Sequence, residues 1–246
     1  MVTLIGMCLI LAGRVHGTEL RFNTQDFAPF NYAIEGAVSG PAVDIIRAVC
    51  NDMQITCSFK LLSWRRAQEE VREGKANGMF VIGWNEERAK WLYFSPPILN
   101  TEYGFFVRND NPLQFKDVSD VKGYRVGVYG PSNTSKSLEK IHAQVPDMTI
   151  DMRPDDEAGF KKLALGRVKA VYSNRDVGNH LIAKLGLNNI RYAGMQRTLK
   201  YYIGFSQEHT EKTLVEQFNA SFRNLYKRGE IQKILGRYTM QPADLD

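Results

Sequence analysis

Arg88 is the residue on which binding chemistry could turn. It lies in the stretch Gly78 to Ile98, GMFVIGWNEERAKWLYFSPPI. Gly78 to Ile82 is an apolar run of strand length. Gly83-Trp84-Asn85 breaks that run, and Asn85 is a candidate N-cap for a short helix from Glu86. Arg88 falls in the first turn of this helix, and Pro96-Pro97 ends regular structure soon after. A strand that stops at a glycine turn, with a cation one turn into the next helix, suits a carboxylate. Backbone N–H groups and the positive helix end face the anion. The guanidinium adds a two-pronged, charge-assisted grip worth about 1.5–3 kcal/mol. On this stretch alone a plainer reading competes and is favoured: Arg88 as a solvated helix residue among Glu86, Glu87 and Lys90.

Composition excludes several classes. Of 246 residues, 43% are hydrophobic and 24% charged, as in soluble globular chains with room for one large or two small domains. The net charge of +5 is scattered, so it does not argue for a nucleic-acid partner. Residues 2–13, VTLIGMCLILAG, are too short a run for a stable bilayer span. Val15-His16-Gly17 places small residues where a signal peptidase reads, so residues 1–17 are expected to be a cleaved secretory signal and the protein to be exported, although no Lys or Arg precedes the run. Cys50 and Cys57 remain, and in an oxidising compartment they either form a bridge worth about 2–3 kcal/mol or stay as free, buried thiols. The histidines show no ligand spacing, so no metal and no cofactor is expected.

The elements that must position Arg88 follow a repeated order. Glu19 to Thr24 alternates as a strand, and a turn-rich loop runs from Asp26 to Gly40. Pro41 to Cys50 has a helical apolar face, Thr56 to Leu61 is a strand, Ser63 is placed to cap a helix to about Glu73, and Gly78 opens the next strand. This β-α-β-α-β order belongs to a parallel, helix-covered sheet. It is written again from Arg125 to Lys184, after a strand at Tyr103 to Val107. The letters repeat too: Glu70 to Met79 is similar to Lys162 to Val171, each a helix, a glycine stop, three residues and a strand. Two such units each offer a crevice at the carboxyl ends of their strands, and facing crevices make one cleft. Tyr201 to Phe205 is a last strand, and Glu211 to Arg228 an amphipathic helix expected to return to the first lobe.

Several short motifs together now resemble one family. They are Phe27-Ala28-Pro29-Phe30, Val43-Asp44, Glu87-Arg88 followed by Phe94-Ser95-Pro96, Gly123 to Val128, Gly166-Arg167-Val168 and the closing Leu225 to Tyr238. With them the chain beyond the signal resembles the periplasmic solute-binding proteins of ABC importers of polar amino acids, the bacterial extracellular solute-binding family 3. The resemblance implies an α/β, two-lobed periplasmic-binding-protein fold of type II. Each lobe would be a mostly parallel sheet flanked by helices, joined by a two-strand hinge. Residues 18–106 would start lobe one, 107–196 form lobe two and 197–246 return to lobe one. The resemblance also places Cys50 and Cys57 where some basic-amino-acid-binding members carry a disulfide.

Carried over residue by residue, the resemblance makes Arg88 the grip for a ligand α-carboxylate, which overturns the solvated reading. It makes Phe27 a ligand cover and Trp64 a second wall; beside it, the residues themselves offer Phe80 and Trp84 as further aromatic candidates. Ser132-Asn133-Thr134 would begin the lobe-two helix that helps hold the same carboxylate. Two positions depart from the pattern. Phe80, Val81 and Gly83 stand where amino-acid binders carry small or hydroxyl residues. Asn174 stands where the family has an aspartate for the α-ammonium. An amide accepts a hydrogen bond but cannot neutralise a buried cation, and Asp176, at a helix start, would point elsewhere.

The expected function is a non-catalytic monomeric receptor that closes on a small carboxylate-bearing solute and serves a membrane permease. The alternatives are a ligand-sensing partner of a membrane receptor and a cyclohexadienyl dehydratase-like enzyme on the same scaffold. The enzyme needs a general acid in the cleft, and none is evident once Asn174 replaces the aspartate.

Overall fold

The computed structural model describes residues 19–245, so the expected signal peptide lies outside the described residues. The chain opens with β1 (Glu19–Thr24), whose Leu20 and Phe22 are buried. The loop that follows is more ordered than its turn-rich sequence implies. It contains a hairpin, β2 (Tyr32–Ile34) and β3 (Ala37–Ser39). Helix α1 (Pro41–Asp52) starts on a proline at its N-terminus, where the missing N–H costs nothing. It buries Val43, Ile46 and Val49, together with Ala42, Ile45 and Cys50. Then come β4 (Thr56–Leu61), α2 (Trp64–Arg72) and β5 (Gly78–Gly83), the last buried along its whole length as its apolar run requires. Ser63 occupies the N-cap of α2, but its hydroxyl makes no capping bond.

A short helix α3 (Glu86–Ala89) and strand β6 (Leu92–Phe94) lead into β7 (Leu99–Arg108). The second lobe runs β8 (Arg125–Tyr129), α4 (Asn133–His142), β9 (Thr149–Arg153), α5 (Asp156–Ala164), β10 (Ala170–Asn174) and α6 (Arg175–Leu185). Strand β11 (Ile190–Ser206) returns, followed by α7 (Lys212–Lys227) and α8 (Glu230–Gly236).

The strand order is β4-β1-β5-β11-β7-β10-β8-β9, with β6 also on β11. At each end the pairing is parallel: β4, β1 and β5 in one lobe, β9, β8 and β10 in the other. The middle is antiparallel, where β7 and β11 pair along their length and cross between the lobes. Each lobe has its own aromatic core. Phe22, Phe205 and Phe218 meet edge to face in the first, which seats α7 there, while Phe105, Phe115 and Tyr172 cluster in the second. Asp151, under the second lobe, is buried yet bonded by Arg125, Arg153 and Lys162. Among the described residues no helix is long and apolar enough to cross a membrane.

The repeat read in the letters is also a repeat of hydrogen bonds. After α2, Gly74 N–H donates to Val71 and Lys75 N–H to Glu70; after α5, Gly166 donates to Leu163 and Arg167 to Lys162. Both are the same helix-ending loop, with the glycine at φ +73° and +68° respectively, a conformation that glycine adopts without cost. Asn77 then donates to Arg21, and Lys169 to Arg125, aligning β5 on β1 and β10 on β8 in the same way.

Cys50 and Cys57 form a disulfide between the end of α1 and the start of β4, with Cα atoms 6.2 Å apart. This resolves the alternatives left open by the sequence in favour of the bridge.

Candidate functional site

The carboxyl ends of β1, β4, β5, β8 and β9 all open on one cavity of about 830 Å³ between the lobes, which α6 lines from the β10 side. This is where an α/β sheet offers backbone donors and helix N-termini to a ligand. Lobe one supplies Phe27, Trp64 and Arg88, and lobe two supplies Ser132, Asn133 and Asp156.

Arg88 is placed from both sides. Its backbone N–H donates to the Asn85 side chain at 2.8 Å, so Asn85 is the N-cap of α3 that its position implied. Its Nη1 donates to the Gly83 carbonyl at 2.7 Å, and its guanidinium lies 5.2 Å from the Trp64 ring centre. The residue is only 8% exposed, so the solvated reading fails. Burial disfavours the charged form and lowers the guanidinium pKa from its usual value; Tyr103, Tyr201 and Glu87 act in the opposite sense. Among the described residues no carboxylate comes within 4.0 Å of it.

The lobe-two wall begins at α4. Ser132 caps it: Ser135 N–H donates to the Ser132 hydroxyl at 3.1 Å, and that hydroxyl donates to the Tyr129 carbonyl at 2.7 Å. Asn133 reaches across the cleft. It accepts from Asn85 Nδ2 at 2.9 Å and donates to the Gly83 carbonyl at 3.3 Å. A Cβ on Gly83 would lie 2.8 Å from Asn133 Nδ2, the tip of a side chain that would have to turn aside, so the bare glycine makes room for this bond. Lys136 and Glu87 form an ion pair at 2.7 Å between α4 and α3. Tyr129 donates to Gln25 Oε1 at 3.0 Å, again from one lobe to the other.

The remaining sequence-selected residues divide. Phe27 and Trp64 line the cavity, and Phe27 leans on Phe30 and Tyr201 with ring centres 5.6 and 6.0 Å away. Phe80 does not line it. Its side chain is fully buried between Phe22 and Phe59 in the first core, because residues of a strand alternate faces and residue 80 faces inward. Val81 is also buried, at φ +56°, an outlier for a β-branched residue. The pairing of β5 on β11 slips there, Ile82 facing Tyr202 and Phe80 facing Ile203, so Val81 is a bulge that resets the direction of the strand end carrying Gly83. Trp84 is 54% exposed and lies outside the cavity wall.

Asn174 is fully committed elsewhere. Its Oδ1 accepts from Asp176 and Val177 backbone N–H at 2.8 and 3.1 Å, capping α6. Its Nδ2 donates to Thr101 Oγ1 at 2.7 Å and to Tyr201 OH at 3.1 Å. It caps a helix and braces the hinge strands, with no capacity left for a ligand. Asp176 accepts from Thr101 and does not line the cavity, as its helix-start position implied.

The expectation of a cleft without an acid does not hold. Asp156, at the start of α5, lines the cavity and accepts from Ser173 at 2.8 Å through Oδ1. Burial pushes its carboxyl up to about 6, against the Ser173 bond and with a further push from Asp155. Tyr129 is raised to about 12 by burial and by those two aspartates. Sequence reading passed over Asp155-Asp156 because acids at a helix start are ordinary caps, and Asp155 is one: it accepts from Ala158 N–H. The available signal was an acid pair directly beyond the carboxyl end of a strand.

A model of the bacterial extracellular solute-binding proteins, family 3, matches residues 21–241. The chain is 27% identical over 214 residues to the probable amino-acid-binding protein YxeM of Bacillus subtilis (strain 168), across 85% of this chain and 79% of that one. It is 22% identical over 249 residues to the arginine-binding periplasmic protein of Mannheimia haemolytica, across 97% of each. In fold it is similar to a histidine kinase sensor domain resembling periplasmic binding proteins, with a TM-score of 0.80 and 21% identity over 92% of this chain and 98% of that one. The two parallel sections of one sheet, joined by antiparallel crossing strands, and the nearly full-length family match have one meaning: the chain belongs to the bacterial extracellular solute-binding proteins, family 3.

Proposed function

We propose that the protein is a periplasmic receptor that encloses a small amino acid or related carboxylate-bearing solute between its lobes and presents it to a membrane permease. Arg88 carries this reading: a buried guanidinium in the interlobe cavity, with no carboxylate within ion-pair distance among the described residues. A buried charge of this kind is costly unless an anion meets it. Phe27 and Trp64 supply the apolar walls, and the α4 N-terminus behind Ser132 and Asn133 adds partial positive charge from the second lobe. The likeness to amino-acid-binding and arginine-binding relatives supports the same class of solute. Closure is a hinge rotation about β7 and β11, with residues 107–196 moving as the second lobe. Export by a cleaved leader and a monomeric state belong to this reading.

The test is a thermal-shift screen of amino acids, keto acids and aromatic acids, followed by calorimetry on the best of them. A bound solute raises the melting point by mass action. Arg88→Ala is expected to abolish binding with the fold retained, and unchanged affinity would remove the assignment.

One observation favours a second reading. Asp156, with its carboxyl near 6, has the protonation behaviour of a general acid. Incubation with prephenate or arogenate decides between the two: formation of an aromatic product would make the protein a dehydratase.

A further inference from the structure

The cavity holds two unpaired charges of opposite sign on opposite lobes. Arg88 comes from lobe one and bonds only the neutral Gly83 carbonyl, apart from its approach to the Trp64 ring. Asp156 comes from lobe two and bonds only the neutral Ser173 hydroxyl, through Oδ1. Among the described residues its Oδ2 has no donor, and no cation lies within 4.0 Å of either oxygen. Cationic side chains are close at hand on the same wall, and they are occupied. Lys184 pairs with Glu157, and Lys136 with Glu87.

The two charges flank one landmark. The Tyr201 hydroxyl, which accepts from Asn174 Nδ2 at 3.1 Å, is near enough to each to feel its charge. Asp156 is bound to Ser173, the residue before Asn174 on β10. Its carboxylate is therefore anchored one residue along β10 from Asn174, whose side chain is committed to capping α6. A zwitterion with its carboxylate on Arg88 needs an acceptor of full negative charge nearby. Asn174 supplies none, and Asp156 is the acid on the adjoining wall.

We infer that Asp156 accepts the α-ammonium group of an amino-acid ligand, taking over the role that Asn174 cannot fill. The inference rests on the reading of Arg88 as the carboxylate grip. It makes Asp156 a determinant of selectivity between amino acids and their deaminated acids. Ammonium binding supplies Asp156 with the counter-charge that the protein withholds.

The experiment uses the exported full chain, the twenty L-amino acids and their deaminated acids, first by thermal shift and then by calorimetry. Wild-type protein is expected to be stabilised by at least one amino acid. Asp156→Asn is expected to weaken that amino acid about tenfold to a hundredfold and to leave its deaminated acid unchanged or bound more tightly. Asparagine still accepts from Ser173, so the fold is kept, and a circular dichroism melt checks it. Equal loss of both ligand classes, loss of neither, or no wild-type response to any amino acid overturns the inference. Arg88→Ala separates the two readings: a deaminated acid that binds Arg88→Ala as well as wild type refutes the carboxylate grip, whereas Asp156→Asn treating both classes alike refutes only the ammonium acceptor.

Discussion

Tyr129 and Gln25 hold equivalent places in the two lobes and are joined to each other. Tyr129 is the last residue of β8, Gln25 follows the last residue of β1, and the phenol donates to the amide oxygen at 3.0 Å. The bond spans the cleft beside the cavity and exists only while the lobes are together. Tyr129→Phe removes it without changing the ring. Ligand affinity is expected to fall about three- to tenfold, with the unfolding midpoint of the unliganded protein nearly unchanged. Calorimetry beside a denaturant melt reads both.

Arg88→Lys separates charge from geometry. Lysine keeps the cation but loses the planar fork and the contact with Trp64. Binding of the preferred solute is expected to drop at least about tenfold. Affinity equal to wild type would mean that a point charge is enough.

Asp156 gives a pH dependence whose sign follows from its raised pKa. An unfolded aspartate titrates near ~4, whereas this one titrates near 6. Between those values the folded protein holds the extra proton, so stability is expected to decline as pH rises through that window. A cationic ligand requires the ionised form, so affinity for an amino acid is expected to weaken as pH falls below about 6. Other charged or titratable groups on this wall are Asp155, the N-cap of α5, Glu157 on α5, Tyr129 from β8, Lys136 from α4, and His180 and Lys184 from α6, with Tyr201 of β11 close enough to feel the charge. Asp156→Asn should flatten the profile, and His180→Ala run beside it separates the histidine on the same wall. Calorimetry from pH 4.5 to 8 (about three decades in proton concentration) reads both.

Asp151 acts in the opposite direction. Burial alone would raise its pKa, but bonds from Arg153, Lys162 and Arg125 outweigh burial and hold it far below the usual carboxylate range. This stability is complete above the unfolded value near ~4 and is lost as pH falls toward the folded one. Asp151→Asn is expected to cost about 1–3 kcal/mol at neutral pH, since its cationic partners are partly solvated. Urea melts at pH 7 and pH 3 should show the difference between variant and wild type shrinking in acid.

The disulfide closes a short loop, seven residues in sequence separation. Replacing Cys50 and Cys57 by alanine together is expected to lower stability by about 2–3 kcal/mol. Ligand affinity should be unchanged, because the bridge lies at the far end of α1 from the cleft. Paired melts and titrations test this.

Much of the lobe architecture was legible because it is local. Apolar alternation and glycine stops marked β1, β4, β5, β8 and β10, and the bonds after Gly74 and Gly166 confirm that similar letters fold alike. The crossing strands were foreshortened. Residues 190–200 of β11 mix polar and small residues, and their strand state comes from pairing with β7, which no window of sequence contains. Arg88 could not be read from its own stretch, since burial arises from Trp64 on another helix and from the opposing lobe. Phe80 faces the core by strand alternation, and no pattern of letters marks the bulge beyond it at Val81, which redirects the strand end toward the cleft. Asp156 was hidden by its resemblance to an ordinary helix-start acid.

The missing side chain at residue 83 lets the two jaws meet on bare main chain. Asn133 comes to rest on that bare stretch of main chain and grips it. One methyl group there would press on the tip of Asn133, which would have to turn aside and loosen its hold on that carbonyl. A Gly83→Ala protein would then meet across the gap with one latch slackened.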